Sequence, residues 1–157
     1  MSRPHTQDSQ ASKSQHWFAW TGRDAQGQDQ SGQMPALDRV DVKAGDMFTE
    51  ALPSGYDVHL FSNVLHDWDT DKVRFLLATS AKALPKGGLL IVHDAHLNDD
   101  KTGPAPVAAY SALLMSVTEG RCYGTGEMRE LLTEAGFTDI RHQDTACDRS
   151  IVTAVRK

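Results

Sequence analysis

His66 stands in the stretch Tyr56-Asp-Val-His-Leu-Phe-Ser-Asn-Val-Leu-His-Asp-Trp-Asp69, where a run of strand-forming residues gives way to a His-Asp-Trp turn. Histidine is the side chain most readily used as a base near neutral pH. In open α/β sheets, ligands sit outside the carboxyl ends of the strands. A neutral imidazole there takes a proton from a hydroxyl as the oxygen attacks an electrophile. Such a base needs a carboxylate to orient it, and on spacing alone Asp67, Asp94 and Glu119 all qualify. The competing reading is a hydrogen-bonded structural histidine at a strand end, and the residues by themselves leave both open.

Three other groups bear chemistry. Asp46, in Gly45-Asp-Met-Phe48, follows a short alternating run and can accept hydrogen bonds from an amino group or a ribose hydroxyl, with Met47 and Phe48 flanking a flat ring. The plainer alternative is a turn-capping Asp46 beside two core residues. His93-Asp94-Ala-His96, with His59 and His66, raises the question of a metal. In a strand, His93 and His96 point to opposite faces, and the chain has no Cys/His cluster with zinc spacing, so no metal is expected. Asp94 is the better functional candidate of that run, and His93 reads as structural. Cys122 has no evident base beside it and reads as a small buried hydrophobe.

The elements that must position these residues follow from periodicity. Arg39-Val-Asp-Val-Lys-Ala44 alternates as a short strand, Pro53-Ser-Gly55 marks a turn, and Tyr56 to Val64 makes a second strand. Asp69 and Asp71 supply an N-cap and first-turn acid for a helix carrying Val73, Leu76, Leu77 and Leu84, which ends at Pro85. Lys86-Gly-Gly88 turns into Leu89-Leu-Ile-Val92, apolar on both faces like a central parallel strand. A loop rich in Asp, Gly and Pro covers 98–106, and a helix is expected over 107–117. A second helix, capped by Thr125, presents Met128, Leu131, Leu132 and Ala135, with Gly136 at C′ and Phe137 folding back. Strands at about 138–145 and 150–156 flank Cys147-Asp-Arg149 and form an antiparallel hairpin. The fold class expected is α/β, a mostly parallel sheet in three layers with a C-terminal antiparallel hairpin.

Composition bounds the rest. The 157 residues suffice for one domain with a real core. Apolar residues are unevenly spread: no Leu, Ile or Val precedes Leu37, and seven glutamines fall within residues 7–33. Residues 1–36 are therefore expected to be a disordered or unrelated leader, apart from the Trp17-Phe-Ala-Trp20 cluster, and 37–157 the folded part. The formal net charge of -5 argues against nucleic acid as a partner. No membrane span or apolar signal region is present, and two cysteines make no disulfide scaffold. A cytoplasmic location is the default expectation.

Taken in order, Gly-Asp-Met-Phe48, Leu52-Pro, Ser62-Asn-Val-Leu-His-Asp-Trp-Asp69, Ala83-Leu-Pro-Lys-Gly-Gly88, Gly120-Arg-Cys-Tyr123 and Glu130-Leu-Leu-Thr-Glu-Ala-Gly-Phe137 resemble the class I S-adenosylmethionine-dependent O-methyltransferases. The subfamily resembled is that of plant caffeate-type and bacterial hydroxyneurosporene- and polyketide-type enzymes, over about residues 37–157. The resemblance implies a partial Rossmann-like sheet, S-adenosyl-L-methionine as cofactor, and a small phenolic or polyketide-like hydroxyl as acceptor. It further implies that His66 is the base and Asp94 the acid orienting it. Asp46 would bond the adenine amino group, Met47 would pack beside the ring, and Ser62 would contact the cofactor where plant members usually carry lysine. Cys122 stands where plant members carry a second acid.

The resemblance covers only the C-terminal part of the family's catalytic domain. The family's Gly-x-Gly-x-Gly loop, which lets backbone approach the cofactor closely, has no counterpart after an apolar strand here. The family's N-terminal dimerisation domain has none either, although its members are homodimers. The alternative expectation is a non-catalytic truncated fragment, or a half-domain needing a partner chain for the cofactor loop. A third is another nucleotide ligand at the same strand ends, which would leave His66 without a task.

Overall fold

The computed structural model describes residues 45–157 in full and the backbone of two strands, β1 (Trp17–Arg23) and β2 (Asp29–Pro35). The chain divides into two compact units, 1–44 and 45–157. In the first, β1 and β2 pair antiparallel from Trp17↔Pro35 to Arg23↔Asp29. This hairpin lies inside the segment expected to be a disordered or unrelated leader. The Trp and Phe residues of β1 are strong strand formers, a local preference that overall apolar content does not register. The rest of that segment and the strand expected at 39–44 fall outside the described residues.

In the second unit, β3 (Val58–Ser62) leads through a single 3₁₀ turn at Leu65–Asp67 to α1 (Thr70–Ala83). Asp69 caps that helix, its carboxylate accepting the Lys72 N–H at 2.9 Å. Then come β4 (Leu89–Asp94), α2 (Ala105–Val117), α3 (Thr125–Glu134), β5 (Phe137–Asp144) and β6 (Ser150–Arg156). Helix α2 begins two residues before the expected start because Pro106 sits in its first turn, where the missing N–H costs nothing. The N-cap of α3 is Gly124, not Thr125. Glu127 reaches back to accept the Gly124 N–H at 2.9 Å, while the Thr125 hydroxyl turns outward to Asp99.

The four strands of this unit lie in the order β3-β4-β6-β5. β3 and β4 run parallel, joined through α1, and β4–β6 and β6–β5 are antiparallel. The sheet is thus α/β and mixed, parallel at its start and closed by the expected hairpin. The position of the hairpin was not evident from sequence: its second strand, β6, enters beside β4 and leaves β5 outermost. The main core gathers Phe61, Leu76, Leu77, Leu90, Val92, Met128, Leu132, Phe137, Val152 and Ala154. Burying each of the larger aliphatic or aromatic chains contributes about 1.5–3 kcal/mol. A smaller cluster of Ala95, Leu97, Val107, Leu114 and Cys122, with Tyr110 against it, seats α2 beyond the end of β4. Among the described residues no helix is long and apolar enough to cross a membrane.

Candidate active site

Ser62 and Asp94 are the last residues of the parallel pair β3 and β4, at the strand ends where α/β sheets hold ligands. Beyond Ser62 the chain reverses through Asn63, which adopts φ 52°, and its N–H bonds the His93 carbonyl at 2.9 Å. Asparagine tolerates this left-handed conformation better than most residues. The reversal delivers His66 into the 3₁₀ turn, where it is 5% exposed.

Of the three carboxylates eligible to orient the histidine, the fold selects Asp94. Its Oδ1 lies 2.5 Å from His66 Nδ1, and the same oxygen accepts the Ala95 N–H at 2.8 Å. Asp67 stands 3.5 Å from the opposite nitrogen, Nε2, and Glu119 is engaged by Lys72. A carboxylate on Nδ1 fixes the neutral tautomer with Nδ1 protonated, which leaves the Nε2 lone pair as the basic site. Burial disfavours the imidazolium, but the hydrogen bond and charge of Asp94, helped by Asp67, outweigh it. His66 therefore titrates above the ordinary histidine value, with Arg149 opposing. Burial likewise raises the Asp67 carboxyl, against the pull of His66.

The turn is held from behind by Gly120. A Cβ there would lie 2.2 Å from the His66 carbonyl oxygen and 2.5 Å from the Trp68 nitrogen, so only glycine admits this approach. The Tyr123 hydroxyl donates to the Trp68 carbonyl at 2.8 Å and fixes the other end of the turn. On the Nε2 side stands Tyr110 of α2, its hydroxyl 3.3 Å away and its ring edge-on at 5.5 Å between centroids. Arg149, at the end of the β5–β6 loop, lies 5.0 Å over the Tyr110 ring and donates to the Asn63 side chain at 3.1 Å. The sequence assigned Tyr110, Arg149 and Gly120 no role at the site, although Gly120 opens the Gly120-Arg-Cys-Tyr123 motif. Tyr110 left one trace, as the sole side chain with an ionisable tip in a helix otherwise made of Ala, Pro, Val, Leu, Met and Ser.

The other expected site residues are less closely joined. Asp46 is exposed. Its Oδ1 accepts the Phe48 N–H at 2.9 Å, and that bond holds its carboxyl below the usual range. Met47 and Phe48 pack on the main core, and Phe48 meets Trp68 edge-on at 4.7 Å, which ties the Asp46 turn to the His-Asp-Trp turn. The Ser62 hydroxyl is bonded to His93 Nδ1 at 2.9 Å. His96 turns away to Ser150, and among the described residues no three His, Cys, Asp or Glu side chains gather as metal ligands. Cys122 is buried, its N–H bonds Ser111 Oγ at 3.1 Å, and burial pushes its thiol up to about 11. It is an inert packing residue.

A family model described as an O-methyltransferase domain matches residues 26–138. The 3-hydroxy-5-methyl-1-naphthoate 3-O-methyltransferase of Streptomyces sahachiroi is 40% identical over 103 residues, 66% of this chain and 30% of that enzyme. Human N-acetylserotonin methyltransferase, solved with S-adenosylmethionine, superposes with a TM-score of 0.74 at 29% identity, over 77% of this chain and 35% of that one. An O-methyltransferase family 2 protein of Planctomyces limnophilus, solved with apigenin, gives 0.73 at 38% identity, over 76% and 36%. The chain spans about a third of the length of the curated relatives it matches.

Proposed function

Because this chain belongs to the O-methyltransferase domain family, we propose that it carries the base-bearing part of an S-adenosylmethionine-dependent O-methyltransferase. The acceptor is the hydroxyl of a small phenolic or polyketide-like molecule, and His66 is the general base. The observation that carries this reading is the His66–Asp94 pair, with a buried imidazole whose Nδ1 is held at 2.5 Å and whose Nε2 is the basic nitrogen. S-adenosylmethionine, when bound, supplies a methyl group already activated by the positive charge on sulfur. The chain therefore has only to align the acceptor and remove one proton. His66 Nε2 takes that proton, and Asp94 stabilises the imidazolium formed. Nearby Arg149 moderates the same imidazolium.

For the cofactor, the donor set fits the adenosyl end. Asp46 is an exposed carboxylate beside Met47, suited to an exocyclic amino group and the face of a ring. Ser62 presents a hydroxyl at the end of β3, and its bond to His93 keeps it oriented. Calorimetry with S-adenosylmethionine and a methylation panel of phenols test the reading. Absence of both binding and turnover would refute it for the chain alone.

One observation favours a second reading, in which the chain is a half-domain and another segment completes the cofactor pocket. β3 has no strand on its outer side among the described residues. Tyr56, just before β3, and Val58 and Leu60 within it fall on one face by alternation and are 57%, 50% and 61% exposed, although parallel sheets are normally covered on both faces. Cofactor binding that appears only when a Gly-x-Gly-x-Gly-bearing partner co-purifies would support it.

A further inference from the structure

Nε2 of a neutral imidazole has one lone pair and accepts one hydrogen bond. In this fold that bond goes to the protein's own phenol, since Tyr110 places its hydroxyl 3.3 Å from Nε2. A substrate hydroxyl giving its proton to His66 needs the same lone pair, so the two phenols are mutually exclusive partners. Tyr110 is seated for this contact from outside the helix. The Arg149 guanidinium covers its ring at 5.0 Å and is itself anchored on Asn63, in the reversal that leads to His66. The seat is also releasable. At 3.3 Å the contact is long for a hydrogen bond to nitrogen, and Tyr110 is only partly buried. Nearby Leu113 is 52% exposed on the same helix, so the face of α2 beyond Tyr110 is open.

We propose that Tyr110 is a gate: it holds the acceptor's place on His66 Nε2, and an incoming hydroxyl must displace it before proton transfer. The gate rests on the reading of His66 as the base. It makes Arg149, anchored on Asn63, a positioning residue for Tyr110, beside the direct effect of its charge on the His66 imidazolium. It also favours acceptors whose hydroxyl out-competes a tyrosine phenol as a donor, which means phenols more acidic than Tyr110. Burial raises the Tyr110 phenol above its ordinary value and widens that margin.

The test uses the full chain, no methyl donor, and 4-nitrophenol as the probe, followed by absorbance and calorimetry. Tyr110→Phe is expected to bind the probe on the order of three- to tenfold more tightly, the worth of one modest hydrogen bond no longer to be broken. The same change should raise the titration point of the His66 imidazole by NMR, because a donor to its neutral form is gone. In a His66→Gln background, Tyr110→Phe is expected to give no gain. Arg149→Met, which removes the cation over the ring and leaves the Tyr110 phenol intact, should strengthen probe binding in the same direction and keeps the test decisive should Tyr110→Phe fold poorly. Probe binding that is unchanged or weaker in both variants overturns the gate, as does a gain that survives in the His66→Gln background. Because no methyl donor is present, absence of both S-adenosylmethionine binding and turnover would refute the proposed function for the chain alone and leave this binding result standing.

Discussion

Asp94 Oδ1 sits 2.5 Å from His66 Nδ1 across 28 positions of sequence. The two residues close the ends of neighbouring elements, β4 and the turn after β3, and the parallel register Ser62↔His93 sets their separation. The orientation of the His66 imidazole is thus a property of the sheet.

Replacing Asp94 by Asn removes the charge and the strongest acceptor at Nδ1. The His66 imidazole is then expected to titrate at lower pH than in the wild type, followed by its ring proton resonances. The sign for stability follows from linkage. Folded His66 holds its proton more tightly than the unfolded chain, whose reference is 6.5. The pair's contribution is therefore full below about that pH and is lost as pH rises through the raised folded value. The stability difference between wild type and Asp94→Asn should shrink across that window. A titration point unmoved by the substitution would refute the electrostatic account of His66.

His96 has the opposite sign. It is 6% exposed, burial pushes it down to about 4, and its Nε2 has no hydrogen-bond partner. The unfolded chain binds this proton first, so stability falls as pH drops from 6.5 toward 4, by roughly 3 kcal/mol for a shift of this size. Urea denaturation of wild type and His96→Phe at pH 7 and pH 4.5 checks this. The variant should lose less on acidification.

Gly120→Ala forces a Cβ into the backbone of the His66 turn, with contacts of 2.2 and 2.5 Å that no rotamer change relieves. A destabilisation of about 1–3 kcal/mol is expected, together with altered His66 resonances. Gly103→Ala, whose Cβ would meet nothing closer than 3.6 Å, is the control and should leave those resonances unmoved.

The two cysteines should separate cleanly in a thiol assay. Cys147 is exposed and Cys122 is buried, with its thiol pushed up to about 11. Native protein at pH 8 is expected to give one rapid equivalent, and a second only after denaturation. Two rapid equivalents would show that the Ala95–Cys122 cluster opens readily.

Local patterns in the sequence were enough to read most of the second unit. The Asp69 cap, the aliphatic spacing of α1, the apolar run of β4 and Gly136 at φ 90° before buried Phe137 each rest on interactions within a few residues. Thr125 shows the limit of such patterns. A good capping residue was displaced because Asp99, 26 positions away, takes its hydroxyl, and Glu127 serves Gly124 instead.

The sequence by itself determined which chemistry the site has to offer: a histidine at a strand end, an acid closing the next strand, and a motif order that resembles one methyltransferase family. Those depend on residue type and on spacing within single elements. Tertiary structure alone decided which of three carboxylates reaches Nδ1, that Gly120 backs the turn, and that Tyr110 meets Nε2 with Arg149 over its ring. Those contacts join residues 28 to 86 positions apart. Their geometry depends on strand register and helix docking, long-range packing that no local periodicity encodes.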